Sequence, residues 1–206
     1  MLYLVKMPSW LQAFFPKYIW KKSGAEKKIY LTFDDGPHPI HTIFVLNELR
    51  KIKAKATFFC IGKNVDLYPE IYAQILLEGH TVGNHTQNHL RGRNTKNDEY
   101  IANIKTASTK IKSNLFRPPY GSIKNSQAKI LLAQKPNFEI IMWTVLSGDF
   151  DQNITKEKCL QNVVSNAENG SIVLFHDSDK AAERMQYALP IFLKTFYDKG
   201  FVFEKL

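Results

Sequence analysis

Cysteine is scarce in this sequence, with two among 206 residues, Cys60 and Cys159. So few thiols exclude a disulfide-dense scaffold, and their wide separation excludes thiolate metal-site spacing. Cys60 ends the apolar run Ala56-Thr57-Phe58-Phe59-Cys60, and Cys159 sits in a helix-like stretch. Two buried thiols are expected, with a single disulfide as the alternative. The chain also lacks a run of ~20 apolar residues, which excludes a transmembrane helix. Its start, Met1-Leu2-Tyr3-Leu4-Val5, is broken by Lys6 and then by Pro8, Ser9, Gln12 and Pro16, and no small-residue cleavage site follows. Without a signal-peptide pattern, the expected location is the cytoplasm or the inner membrane surface. There is no internal repeat and no low-complexity tract. Acids are outnumbered, 19 against 28 Lys and Arg, for a net charge of +9. The excess is front-loaded, with ten bases and four acids in residues 1–60. A basic surface favours anionic partners, although solvated lysines explain much of it. No nucleic-acid-reading motif accompanies the charge, so no nucleic-acid partner is expected.

What remains suits one globular domain: ordinary length, 44% apolar residues and 23% charged ones. A monomer is expected. Residues 1–20 are rich in aromatics (Tyr3, Trp10, Phe14, Phe15, Tyr18, Trp20) and lead into Lys21-Lys22. Such a segment packs on the main domain as an arm or plug, or rests on a membrane surface as a peripheral contact.

Apolar runs at Lys28–Phe33, Lys55–Cys60, Thr81–Asn84, Leu115–Arg117, Phe138–Thr144, Ser171–Phe175 and Phe201–Glu204 read as strands. Amphipathic stretches lie between them. One carries Tyr68, Ile71, Tyr72 and Ile75 and is closed by Gly79; another is capped by Thr155; the last ends at Gly200. Seven strands alternating with six helices predict a parallel α/β fold. The chemically suggestive residues, Asp34, Asp35, His85, Arg117, Asp149 and His176, all follow strands. Active sites form at carboxyl ends of strands in a barrel and in an open doubly wound sheet alike.

The densest signal is Thr32-Phe33-Asp34-Asp35-Gly36-Pro37. Adjacent carboxylates at a strand end repel and call for a cation or strong donor nearby. His85-Thr86-Gln87-Asn88-His89 follows. Two imidazoles four residues apart share one face of a helix or tight turn, and with one of the acids they make a two-histidine, one-carboxylate metal site with open positions. His38 and His41 read as rim residues. His176-Asp177 has a plainer reading beside the chemical one, with Asp177 capping a helix.

These two motifs, with Arg117-Pro118-Pro119-Tyr120-Gly121 and Leu174-Phe175-His176-Asp177, occur in the order seen in the polysaccharide deacetylases, and the chain resembles that family, the NodB-homology domain of carbohydrate esterase family 4. The resemblance covers residues 27–206 and leaves 1–26 as an N-terminal arm. It implies a distorted, incomplete (β/α)7 barrel and a metal-dependent hydrolase that removes acetyl groups from a carbohydrate. The implied substrate is an N-acetylated amino sugar such as a chitin-like oligomer or peptidoglycan. An O-acetyl or non-sugar substrate and a non-catalytic sugar-binding relative are the alternatives. The implied cofactor is one divalent ion held by Asp35, His85 and His89, zinc first, with cobalt or nickel as substitutes. Asp34 is implied as general base, Arg117 as its partner, the Tyr120 amide as an oxyanion donor beside Pro118, His176 as general acid held by Asp149, and Leu174 as part of an acetate pocket. One motif departs from the family pattern Asp-x-x-Asp-Trp: Leu146 stands at the first Asp and Phe150 at the Trp, while Asp149 keeps the second Asp. The chemistry is expected to persist, with the shape of the substrate cleft altered at Phe150.

Overall fold

The structure, a computed structural model, describes residues 3–206, so Met1 and Leu2 of the arm lie outside the described residues. Eight strands form one parallel sheet: β1 (Lys28–Asp34), β2 (Thr57–Cys60), β3 (Thr81–Asn84), β4 (Leu115–Phe116), β5 (Glu139–Ile140), β6 (Val145–Leu146), β7 (Ile172–His176) and β8 (Val202–Glu204). Seven run in the order β5-β4-β3-β2-β1-β7-β6, and β8 pairs with the start of β1. The helices are α1 (Ser9–Ala13), α2 (His41–Lys51), α3 (Gly62–Leu67), α4 (Pro69–Leu77), α5 (Asn97–Ser108), α6 (Asn125–Leu132), α7 (Lys156–Val164) and α8 (Ala182–Asp198). This is the curled, incomplete seven-strand half-barrel expected of the family.

Alternation along β1 sets the layers. Ile29, Leu31 and Phe33 are fully buried and join Val45, Leu46 and Leu49 of α2 and Leu189 and Phe192 of α8 in the outer core. Thr32 and Asp34 therefore face the barrel interior, because side chains along a strand alternate. The register carries that face across the sheet: Thr32 pairs with Leu174, and Asp34 with both His176 and Phe59. The helix signals hold locally. The Thr155 hydroxyl accepts from the Lys158 amide at 3.1 Å, and Gly79 and Gly200 follow their helices at φ 79° and 77°.

Two expected elements differ. The run Phe138–Thr144 is a strand only at Glu139–Ile140. The Ile141 and Met142 carbonyls instead accept from the Arg117 guanidinium, at 3.2 and 3.0 Å. The chain pairs again at Val145–Leu146 as β6, beside β7, a strand that lies just beyond the expected run. Helix α3 also precedes the expected helix, the two separated at Tyr68 (φ −134°, ψ 58°), with Pro69 opening the second.

Residues 5–22 run along both ends of the sheet. The Met7 amide donates to Thr144, Leu146 to Val5, Ile19 to Ile140, Met142 to Ile19 and Lys22 to Gly170, all at 2.8–3.0 Å. Trp20 is buried among Ile141, Met142 and Trp143. Removing residues 1–22 would strip five main-chain bonds worth about 1 kcal/mol each. Truncation is expected to lower unfolding stability by roughly 3–5 kcal/mol, read as a shifted urea midpoint; an unchanged midpoint would make the segment an ornament. Both cysteines are free and buried. No helix among the described residues is long and apolar enough to cross a membrane.

Candidate active site

Asp34 and His176, register partners at the ends of β1 and β7, place the site at the carboxyl end of the half-barrel. The Arg117 guanidinium enters beneath it and is fully buried. It donates to Asp34 Oδ1 and Thr32 Oγ1, each at 2.8 Å, and lies 4.1 Å from the centroid of the Phe59 ring. Gly83 makes that ring possible, since a Cβ there would meet Phe59 at 2.5 Å. A buried charge is tolerated only when paired, and this bond fixes one Asp34 oxygen and leaves the other facing the site.

Asp35 takes the opposite course. Its backbone is left-handed, φ 85°, as is that of Thr86 (64°), His89 (56°) and Tyr120 (61°). Only one other described non-glycine residue, Lys53, shares that conformation. Each such residue costs on the order of 1–2 kcal/mol, and their concentration around one point marks a functional centre. The expected pairing of His85 with His89 is achieved by a tight turn, not a helix. Asn84 Oδ1 and Thr86 Oγ1 accept from the turn's own amides. Asn103 Oδ1 accepts from Gln87 and Asn88.

The donor set fits a divalent ion. Ligand atoms of Asp35, His85 and His89 all lie within 4.8 Å of one another. Asp35 Oδ1 stands 3.2 Å from His89 Nε2 and 3.7 Å from His85 Nε2. That oxygen is buried without a hydrogen-bond partner among the described residues, as a ligand oxygen would be in the absence of its ion. His85 Nδ1 lies 2.8 Å from the Arg117 carbonyl; only a protonated Nδ1 can bond there, which leaves the Nε2 lone pair directed at Asp35. Burial pushes the His85 ring down to about 4, keeping it neutral against the pull of Asp34. Burial acts to raise the Asp35 carboxyl, but the close approach of His89 and the charge of His176 outweigh it and hold it well below the usual carboxylate range.

Across the site, His176 Nδ1 lies 2.7 Å from Asp149 Oδ1, and the His176 amide donates to Asp149 Oδ2 at 2.7 Å. Burial disfavours the charged ring, yet the Asp149 charge and hydrogen bond push it up to about 9. Phe150 meets the His176 ring edge-on at 5.3 Å and packs against Tyr3 at a tilt, 5.2 Å between centroids. Leu174 and Leu146 pair inside the barrel, both buried, so the apolar residue at the degenerate position fits an apolar layer. Pro118 is buried, and the Tyr120 amide makes no backbone bond among the described residues. The Tyr120 ring is exposed and packs 4.6 Å from His89. All the residues singled out in the sequence thus converge on this end of the barrel.

Asp177 does not cap a helix, since α8 begins at Ala182 after an uncapped Ala181. Its buried carboxylate accepts from the Gly36 amide at 2.9 Å and from the Thr42 hydroxyl. A Cβ on Gly36 would meet it at 2.2 Å. The residue locks the Asp34-Asp35 turn onto β7. Burial pushes its carboxyl up to about 8, against the Thr42 bond, which favours the anion. His38 and His41 stand on the rim, their Nε2 atoms 3.3 and 2.8 Å from Asp179. Two backbone amides, Ile40 and His41, donate to His38 Nδ1. The proton is therefore on His38 Nε2, which suits a bond to Asp179 and not a metal.

A parallel half-barrel with a two-histidine, one-carboxylate cluster between an Asp–Arg pair and an Asp–His pair defines a hydrolase of the NodB-homology class. The chain belongs to the polysaccharide deacetylase family, whose model matches residues 21–136. It is 37% identical over 191 residues to a peptidoglycan-N-acetylglucosamine deacetylase of Bacillus cereus, covering 89% of this chain and 88% of that protein. It superposes on the crystal structure of a peptidoglycan N-acetylglucosamine deacetylase bound to an N-hydroxybenzamide compound. That match has TM-score 0.86 and 30% identity, over 97% of this chain and 95% of the other. A family pseudoenzyme from Bacillus anthracis is similar at TM-score 0.79 and 25% identity, over 91% and 66%. Membership thus fixes a deacetylase framework of the kind that acts on carbon–nitrogen bonds, in a family that also holds inactive members.

Proposed function

We propose that this chain is a metal-dependent deacetylase of an N-acetylated amino-sugar polymer, with peptidoglycan as the preferred class. The observation that carries the reading is the orphaned, buried Asp35 oxygen facing two imidazole nitrogens between a ready base and a ready acid. The names of relatives that the chain resembles support the choice of substrate. Asp35, His85 and His89 would hold the ion, with zinc suited to the nitrogen-rich set and cobalt or nickel as substitutes. When bound, it supplies Lewis acidity for the acetyl carbonyl and the attacking water.

The rest is the work of the chain's own side chains. Asp34, aimed by its bond from Arg117, takes the proton of the attacking water. As oxygen bonds to the acetyl carbon, negative charge grows on the carbonyl oxygen, and the Tyr120 amide donates to it. His176 then gives a proton to the departing nitrogen as the carbon–nitrogen bond breaks, releasing acetate and a free amine. Asp149 holds its Nδ1–H and keeps the ring charged until that moment. Leu174 and Phe150 would close the apolar side of the acetyl pocket.

Stripping the protein with a chelator and reloading it tests the ion assignment. The parent chain is expected to recover close to one equivalent of zinc together with its activity, and His89→Ala neither, with affinity down by more than about a hundredfold. Equal metal content in the two proteins would contradict the assignment. The binding-only alternative predicts sugar binding with full metal and no acetate release.

The same arm that covers the sheet ends carries exposed Trp10 (63%) and Phe14 (72%), with Lys17, Lys21 and Lys22 following. A peripheral role at an anionic membrane is inferred for it. Co-sedimentation with phosphatidylglycerol vesicles, lost in Trp10→Ser/Phe14→Ser, is the expected result; equal pelleting of both proteins would refute it.

A further inference from the structure

Beside the candidate site, on the far side of Tyr120, lies a second concavity that the deacetylation chemistry leaves unused. It is a groove of about 390 Å³ between the N-terminal arm and the loop after β4, with Phe15, Tyr18, Trp20, Tyr120 and Trp143 among its walls and Arg93 at its rim. The aromatic walls are ordered among themselves: Phe15 and Tyr18 stack at 5.3 Å and 13°, and Tyr18 lies 6.4 Å from Trp20. Flat aromatic faces suit the C–H faces of a pyranose ring. Tyr120 is common to both places, one neighbour being His89 of the metal cluster and the other the groove. A sugar in the groove would therefore adjoin the sugar whose acetyl group reaches the site.

The charge of the groove is one-sided. No acidic residue lines it. Of the five arginines in the chain, Arg50, Arg117 and Arg184 pair with carboxylates. Arg91 instead covers the Tyr120 ring at 4.3 Å, and Arg93 has no carboxylate partner among the described residues. Arg93 lines the groove together with Tyr18, and its charge opposes the burial that raises the Tyr18 hydroxyl. A guanidinium fork matches a carboxylate bidentately, and Arg93 has its donors free for one.

We propose that this groove is a subsite for the sugar next to the one being deacetylated, and that Arg93 reads a carboxylate on that neighbour. This rests on the deacetylase reading and deepens it. Within the peptidoglycan class already proposed, it adds a specificity residue, Arg93, that favours a carboxylate-bearing neighbour over a neutral chitin-like chain. It also gives the aromatic arm a use: it builds one wall of the specificity groove.

Calorimetric binding separates the subsite from turnover. The protein is loaded with zinc, carries Asp34→Asn so that it does not turn over, and is titrated with a carboxylate-bearing alternating tetrasaccharide and with chitotetraose. The acidic oligomer is expected to bind about tenfold more tightly, the worth of one charge-assisted contact. Adding Arg93→Gln should erase that ratio, and Arg93→Lys should restore part of it. In the active protein, Arg93→Gln should raise KM on the acidic oligomer with kcat largely kept, because the contact is made equally in ground and transition states. A binding ratio unmoved by Arg93→Gln would overturn the subsite, whatever the turnover. Normal binding ratios with no acetate released by the parent chain would overturn the deacetylase reading and leave the subsite standing.

Discussion

Asp34→Asn is expected to reduce acetate release by roughly 10²–10⁴-fold, the usual contribution of a positioned base, while the protein keeps its full metal content. Asp35→Asn is expected to lose activity by losing metal. The two acids are neighbours in sequence and have different surroundings. Asp34 ends β1 on the interior face and is held by Arg117 at 2.8 Å. Asp35 has turned into a left-handed conformation at φ 85° and presents an unpartnered oxygen to His85 and His89. An amide at position 34 keeps the shape and the Arg117 contact and removes the basicity. An amide at position 35 removes the anionic ligand. Metal analysis of both variants after identical loading decides the matter; equal loss from both would mean that base and ligand are not separate.

The second large effect belongs to His176. Its replacement by Ala should cost roughly 10²–10⁴-fold on an acetylated amino sugar and far less on a nitrophenyl acetate, whose leaving group departs without a proton. An equal fractional loss on both would show that His176 places the acetyl group and does not deliver a proton. The pH dependence follows from the same pair. The ring must be protonated to act, and Asp149 pushes it up to about 9. Activity should therefore fall as pH rises through that value. In Asp149→Asn, burial is opposed only by the weaker pull of Asp35 and Asp34, so the descending limb should move to lower pH, toward the ordinary histidine value of about 6.5. Linkage has the same sign. The folded value lies above the unfolded one, so the stabilisation from this pair is complete below about pH 6.5. It is lost as pH rises through about 9. A limb unmoved in Asp149→Asn would remove Asp149 from that role.

The parts of the site written in local sequence were legible. Asp34, Asp35, His85, Arg117 and His176 end or follow strands that apolar runs mark clearly, and strand register brings them together. The division between β5 and β6 was not legible. Its cause is a long-range demand: Arg117 claims the Ile141 and Met142 carbonyls. Periodicity along the chain carries no trace of a guanidinium 24 residues away. Asp177 was misread for a similar reason. A polar residue before a helix suggests a cap, whereas its carboxylate is spent on Gly36 and Thr42, more than 130 residues earlier. The groove beside Tyr120 was invisible in the sequence because its walls come from the arm and from the loop after β4. The aromatic richness of residues 3–20 was the one signal of it.

The central claim is that this site hydrolyses an acetyl amide on an amino-sugar chain with a metal in place. The most direct measurement is acetate release from an N-acetylated glycan, a peptidoglycan strand and chitotetraose in parallel, by protein stripped of metal and then reloaded with one equivalent of zinc. The account predicts acetate and a free amine in equal amounts from the reloaded protein, faster on the peptidoglycan strand, and none from the stripped protein. Full zinc occupancy with no acetate from either glycan, or undiminished release after stripping, would contradict it.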